Sequence, residues 1–165
     1  MKRDMVDQLL TQWAAERPMM NVSSLGVVVR VQRLAKLLQQ RTTEALRQHG
    51  LKHWEYDVLS VLRRQGEPFE LPATEIADAA LLTSGAMTAR IDGLEKRGFV
   101  RRRRNKSDGR SVLVRLTPKG LRLIDAAIRS RLDDADQTME DIEPADRVQI
   151  AAGLRELLLT MEDQD

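Results

Sequence analysis

The stretch from Thr83 to Thr117 decides the fold, and it is TSGAMTARIDGLEKRGFV, then RRRRNKSDGR, then SVLVRLT. Its first part has the apolar spacing of an amphipathic helix, which Gly98 is suited to end. Phe99–Arg104 and Val112–Leu116 have the composition of strands, and Asp108-Gly109 between them is a hairpin turn signal. The order predicts a helix followed by a two-stranded β-hairpin.

Positive charge is concentrated at this hairpin. Between Lys96 and Arg110, eight Lys or Arg residues stand against one acid, a local balance of +7 in a chain whose net charge is +2. Residues 131–165 have the opposite sign, with three basic residues and eleven acids. A clustered basic patch attracts phosphates, and an acidic segment is repelled by them. The patch therefore predicts contact with nucleic acid, away from which the acidic end is expected to lie.

Helices are predicted on both sides of the hairpin from apolar spacing and from start and stop residues. Ser23 or Ser24, Thr74, Thr83 and Thr117 are suited to cap them. The predicted helices cover residues 3–16, about 23–48, about 52–64, 74–82, 83–97, 117–139 and a segment after Pro144.

The order of these elements predicts the architecture. Two short helices joined by a tight turn and followed by a hairpin form a winged helix-turn-helix. The expected fold class is mainly α with a small β-hairpin wing. Within a single domain, 51–120 is expected to form the winged helix-turn-helix DNA-binding lobe, and 1–50 with 121–165 a helical dimerisation region.

Composition excludes several functions. The chain has no Cys, and its two His, His49 and His53, flank a helix-breaking Gly50, so neither a disulfide nor a metal site is expected. No nucleophile with a base and no Gly-rich phosphate loop is evident, so the chain is expected to be neither an enzyme nor a cofactor carrier. It has no apolar run of about 20 residues and no secretory signal, which favours a soluble cytoplasmic protein.

The motifs LTSGAMTARIDGLEKRGFVRRR, SDGRS and VRLTPKG together resemble the MarR family of bacterial transcription regulators, over roughly Leu25 to Leu158. The resemblance implies an obligate homodimer, with interleaved first and last helices, that binds a pseudo-palindromic double-stranded operator. It also implies a recognition helix in the major groove and a wing in the minor groove. Seven residues are expected to contact the DNA: Ser84, Thr88, Ala89, Arg101, Arg103, Lys106 and, at the wing tip, Arg110.

A narrower resemblance concerns the urate-responsive branch of that family. Members of this branch are similar in having an extra N-terminal helix with a Trp, an Asp after W-E-[FY], an Arg on the recognition helix and an Arg entering the wing. The matching residues here are Trp13, Asp57, Arg90 and Arg102. The resemblance implies a repressor that urate or a related purine releases from DNA.

The residues alone leave alternatives open at all four positions. Asp57 and Arg90 fall on the apolar faces of their helices, where a charge must be paired, so they could form a structural ion pair instead of a ligand site. Arg102 could contact DNA with its neighbours, and Trp13 could pack in a core. In the ligand-site interpretation, Asp57 neighbours the arginines in the free protein, and an incoming anion displaces it.

Two other functions compete with a urate-responsive repressor. One is a MarR-type regulator of another aromatic or carboxylate ligand. The other is an architectural protein that coats DNA and has no effector.

Overall fold

The computed structural model describes residues 2–79, 84–104 and 112–163, apart from the side chains of Asp78 and of residues 84–86. The fold is mainly helical with one small antiparallel sheet, and the expected fold class is confirmed. The elements are α1 (Met5–Glu16), α2 (Ser23–Arg47), α3 (His53–Arg63), β1 (Glu70–Pro72), α4 (Ala73–Ala79), α5 (Ser84–Lys96), β2 (Val100–Arg104), β3 (Val112–Leu116), α6 (Pro118–Thr138) and α7 (Pro144–Glu162).

Two compact units make up the chain, Met1–Glu44 and Ala45–Asp165. In the first unit, α1 lies against α2: Val6 is buried, and Leu10 comes within 3.0 Å of the place where Gly26 would carry a Cβ. Arg30 of α2 forms ion pairs with Asp4 (2.8 Å) and Asp7 (2.7 Å). Gly26 therefore allows the two helices to approach closely, and the ion pairs of Arg30 connect them.

The helix starts follow capping chemistry. As predicted, Thr117 caps α6: its hydroxyl accepts the Gly120 N–H at 3.0 Å, and Pro118 follows at the first helical position. Helix α2 differs, because it includes both Ser23 and Ser24, and the side chain that accepts the Ser23 N–H belongs to Asn21. The predicted cap of α5, Thr83, lies outside the described residues.

The sheet has one strand more than the predicted hairpin, in the order β1-β3-β2. The missed strand β1 pairs with β3, with Leu71 opposite Val114. Its three residues include a proline, so they have neither the length nor the composition that indicates a strand. The strand forms because β3 offers it an edge, which only the folded chain provides.

The core of the second unit joins α3, α4, α5, the sheet and α6. Its fully buried side chains come from each of these elements and include Leu59, Ile76, Leu94, Val114 and Ile124. Gly98, with φ of 73°, ends α5 as predicted. A Cβ on Gly120 would lie 2.0 Å from the Phe99 carbonyl oxygen, so α6 begins in direct contact with the backbone that leads into β2. Helix α5 and the wing strands are thereby fixed to one core.

Candidate nucleic-acid interface and effector site

Helix α5 has one buried face and one exposed face. Met87, Ile91 and Leu94 are buried in the core, whereas Thr88 and Ala89 are exposed. Ser84 begins the helix, although its side chain is not among those described. The predicted outward position of Thr88 and Ala89 is therefore what the structure shows, as a recognition helix requires.

The arginines of β2 divide between the two faces of the sheet. Arg102 lies opposite Val114 on the face that covers the core, and Arg101 lies opposite Arg115 on the other face. Arg103 shares the outer face and is paired with Glu70, whereas Arg101 is exposed and has no ion pair with any residue that the structure describes. The predicted wing-tip residues Lys106 and Arg110 and the Asp108-Gly109 turn lie outside the described residues.

The side chain of Arg102 is directed at α5. Its Nη1 lies 2.6 Å from Asp92 Oδ1 and 2.8 Å from Glu95 Oε2, and its Nη2 donates to the Thr88 carbonyl at 3.2 Å. Partial burial opposes the guanidinium charge, but the hydrogen bonds with Asp92 and Glu95 outweigh it and raise the pKa of Arg102 above its ordinary value. Arg102 is therefore a paired cation on the protein side of the wing.

Arg90 lies between α5 and α3. Its guanidinium carbon is 5.4 Å from the centre of the Trp54 ring, within the range of a cation–π interaction. Its Nη1 is buried and has no hydrogen-bond acceptor among the described residues. An arginine therefore lies on the inner side of this helix, as the sequence predicts. Among the described residues, one of its hydrogen-bond donors has no acceptor, and its guanidinium lies beside an aromatic ring.

Asp57 has a different partner from the one expected. Its Oδ2 lies 2.9 Å from His53 Nδ1, one turn earlier on α3, and its side chain is 37% exposed. No ion pair joins Asp57 to Arg90 or to Arg102, whose carboxylate partners are Asp92 and Glu95. The proposed displacement of Asp57 by an anion therefore does not start from an ion pair with these arginines.

Trp13 belongs to the first unit, whereas Asp57, Arg90 and Arg102 belong to the second. Trp13 is 41% exposed, and the buried residue of α1 is Val6. Core packing within the unit therefore does not account for this tryptophan.

Several residues of the site were missed from the sequence. His53 directly precedes the W-E-[FY]-D motif, of which Trp54 is the first residue, and their spacing to Asp57 on one helix was a usable signal. Asp92 and Glu95 carried a weaker signal, since two acids on a helix expected to approach DNA need a cationic partner. Nothing in the local pattern indicates that the partner is Arg102.

A second paired site was also missed, at the end of α5. Arg97 Nη1 lies 2.6 Å from Glu55 Oε1, and Glu55 is only 4% exposed. The second oxygen of this carboxylate accepts the Lys52 N–H at the start of α3. This pair ties the end of the recognition helix to the start of α3.

An exposed helix face, a strand with outward arginines and a core beneath both define a winged helix-turn-helix protein of the DNA-binding class. The model of the MarR family matches residues 49–111, which include α3 to β2. The transcriptional regulator PecS of Dickeya dadantii (strain 3937) is 26% identical over 147 residues, which are 89% of each chain. Over these residues the chain is similar to the MarR family of transcriptional regulators, and the relatives named here are regulators and not enzymes.

Two solved structures show the same fold. Sco3205, a MarR family transcriptional regulator from Streptomyces coelicolor in complex with DNA, has a TM-score of 0.74 at 23% identity, covering 84% of this chain and 88% of its own. CouR from Rhodococcus jostii RHA1, bound to p-coumaroyl-CoA, has a TM-score of 0.68 at 25% identity, covering 79% and 90%. Within the described residues, no helix is long and apolar enough to cross a membrane.

Proposed function

We propose that this chain is a MarR-type transcriptional regulator, a homodimeric repressor that binds a pseudo-palindromic duplex and leaves it when urate or a related purine binds. The proposal includes the division of the chain into a DNA-binding lobe, 51–120, and a dimerisation region formed by 1–50 and 121–165. Each part has its own support in the structure.

DNA binding is supported by the geometry of α5 and β2. The exposed Thr88 and Ala89 lie on the face of α5 that a major groove would meet, and Ser84 starts the same helix. Arg101 supplies an exposed cation on the outer face of the wing. Lys106 and Arg110 are proposed to extend this surface into the minor groove, where a narrow groove attracts arginine.

A second copy of the chain is supported by α7. This helix of 19 residues has no buried residue, and its exposed apolar side chains include Val148, Leu154 and Leu158. Monomeric proteins rarely expose large apolar patches, so these exposed side chains favour a partner at α7. The same helix contributes acids to the negative end of the chain, so a partner there is expected to be a protein and not DNA.

Effector binding rests on one observation, the buried Arg90 Nη1 that has no acceptor among the described residues. A buried donor without an acceptor costs about 1–3 kcal/mol, which an anionic ligand would remove by accepting its hydrogen bond. Urate is a flat weak acid, and the Trp54 ring beside Arg90 offers the aromatic face that such a ligand stacks on. Trp13 and Arg102 are proposed as its further contacts.

Asp57 is proposed to convert binding into motion. A carboxylate repels an anion that binds close to it, and in the structure Asp57 is paired with His53 on the same helix. A ligand shifts the DNA-binding equilibrium only if it binds the two arrangements with different affinities. A change in the hydrogen-bond partner of Asp57 is a local event that can provide this difference in affinity.

A regulator of another aromatic or carboxylate ligand is the second candidate. CouR, which shares the fold, was crystallised with p-coumaroyl-CoA, a ligand with an aromatic ring and phosphates. The features around Arg90, a cation and an aromatic face, suit such ligands as well as a purine.

The test is release of DNA from a preformed complex with an operator selected from random duplexes. Urate, xanthine and 4-hydroxybenzoate are titrated against the wild type, Arg90→Gln, Asp57→Asn and Arg102→Ala. Arg129→Gln is the matched control, because Arg129 is an exposed arginine of α6 outside the proposed site. We expect release by urate, weaker release from Arg90→Gln and Arg102→Ala, and weaker DNA binding by Asp57→Asn even without ligand.

The outcomes separate the candidates. Release by 4-hydroxybenzoate alone favours the second candidate. If none of the three compounds releases DNA at millimolar concentration, the effector part of the proposal is wrong and the DNA-binding part stands.

A further inference from the structure

Arg102 contacts the recognition helix at three successive positions on one face. The contacts are the Thr88 carbonyl, Asp92 and Glu95, spaced at i, i+4 and i+7 along α5. The first of these positions is Thr88, whose exposed side chain is proposed to contact the DNA. One side chain of the wing thus spans two turns of the helix that is proposed to read the operator.

Glu95 accepts two hydrogen bonds from Arg102. Its Oε1 accepts the backbone N–H of Arg102 at 2.9 Å, and its Oε2 accepts from the guanidinium Nη1 at 2.8 Å. Hydrogen bonds between charged groups are about twice as strong as neutral ones, and a two-point contact also fixes orientation. Arg102, the third residue of β2, is therefore held in position relative to α5 through both its backbone and its side chain.

The surroundings of Arg102 do not suit a phosphate contact. Its side chain is 27% exposed, and two carboxylates within 2.8 Å leave the cluster with a net charge of −1. A phosphate would be repelled by this cluster, whereas Arg101, on the outer face, is exposed. The sequence run of four arginines thus contains residues with different chemical environments.

We infer that Arg102 is a positioning residue, which with Asp92 and Glu95 fixes the angle between the recognition helix and the wing and does not itself contact DNA. The inference rests on the proposed DNA binding by α5 and the wing. It also makes the proposed regulation more specific, because an anion that binds the Arg102 guanidinium must first break the bonds of Arg102 to α5. Asp92 and Glu95, and not Asp57, are then the carboxylates that a ligand displaces from Arg102.

Operator binding by Glu95→Gln gives the most discriminating test. This substitution removes a negative charge close to the DNA, so electrostatics alone predicts tighter binding. Positioning predicts the opposite, an operator affinity about tenfold weaker, as for loss of one charged hydrogen-bonded pair. Arg102→Gln should weaken binding to a similar extent, and the double variant should be no weaker than either single one.

Salt dependence distinguishes positioning from phosphate contact. The slope of log K against log salt should be unchanged in Arg102→Gln, and it should fall by about 0.9 in the control Arg101→Gln, which loses a phosphate contact. The exchanged pair Glu95→Arg with Arg102→Glu keeps the net charge and should recover most of the lost affinity. A slope that falls by about 0.9 in Arg102→Gln, or tighter or unchanged binding by Glu95→Gln, overturns the inference.

Amide hydrogen exchange of α5 in the free protein provides a readout that needs no DNA. Exchange should be faster in Glu95→Gln and Arg102→Gln than in the wild type, at temperatures where thermal unfolding shows that all three are folded. Equal exchange in the three proteins overturns the inference. If the wild type binds no duplex, the proposed function is overturned. The hydrogen-exchange result on the free protein does not depend on that outcome.

Discussion

Helices α3 and α7 have apolar residues at helical spacing, but the chain covers the apolar face of only one of them. Helix α3 has five buried residues among its eleven, including Val58, Leu59 and Leu62, and it lies at the centre of the winged lobe. Helix α7 has none among nineteen, and Leu154 and Leu158 are about half exposed. One helix is stabilised within its own chain, and the other leaves apolar side chains exposed, which we propose a second copy covers.

The difference between the two helices indicates that they are stabilised in two different ways. Folding of the lobe is a property of one chain, because its core is closed by α3, α5, the sheet and α6. Stability at α7 depends on the protein concentration if a second copy covers it, because association follows mass action. Substitutions in the two helices should therefore differ in their dependence on concentration as well as in size.

The largest effect is expected from the pair Leu154→Asp and Leu158→Asp on α7. In a symmetric dimer this removes four apolar side chains from the interface and adds four charges. Each side chain is about half exposed in one chain, so its burial by a partner contributes about 1 kcal/mol. The dimer dissociation constant should rise by on the order of a thousandfold or more, measured by sedimentation over a range of concentrations. Unchanged association would show that α7 is not the contact surface.

A smaller effect is expected from Leu59→Ala in α3. Leu59 is fully buried, and such a truncation typically costs about 2–5 kcal/mol of unfolding free energy. The loss in the lobe should be the same at low and high protein concentration in urea denaturation. A loss that varies with concentration would mean that the lobe is not an independent folding unit.

The smallest effect is expected at the ion pairs between α1 and α2. The hydrogen bond from Arg30, followed by that from the Asp7 N–H, lowers the pKa of Asp4 from 3.8 to about 2. Because the folded pKa is depressed, the contribution of Asp4 to stability is complete above about pH 4 and is lost as the pH falls toward 2.

Substitution of Arg30 tests this assignment. Arg30→Gln should bring the pKa of Asp4 back toward 3.8, observed by carboxyl ¹³C NMR, with little change in overall stability because the pair is exposed. Arg33→Gln is the neighbouring control, and an Asp4 pKa that stays near 2 in Arg30→Gln would assign the shift to the helix start alone.

Much of the fold was predictable because local chemistry determines it. Thr117 and Pro118 start α6 where capping rules place them, and Gly98 ends α5 in a conformation that favours glycine. The strands of the wing follow their composition. The missed strand β1 shows the limit, since its three residues become a strand only by pairing with β3.

The candidate site was less predictable because its contacts join distant elements. The sequence shows that Arg90 is on an inner face, but the ring beside it, Trp54, comes from another helix. Likewise, alternation along β2 predicts that Arg102 points away from its neighbours, but it does not identify Glu95 as the partner. Periodicity gives the direction of a side chain, and packing decides what it meets.

Footprinting of a selected operator tests the central claim most directly, namely that two copies of this chain read one duplex through α5 and the wing. Hydroxyl-radical footprints should show two symmetric protected half-sites with centres about 10 base pairs apart. Sedimentation of the same complex should give two chains of 18.8 kDa per duplex. Uniform protection along the DNA, or a single chain bound at one half-site, would contradict the account.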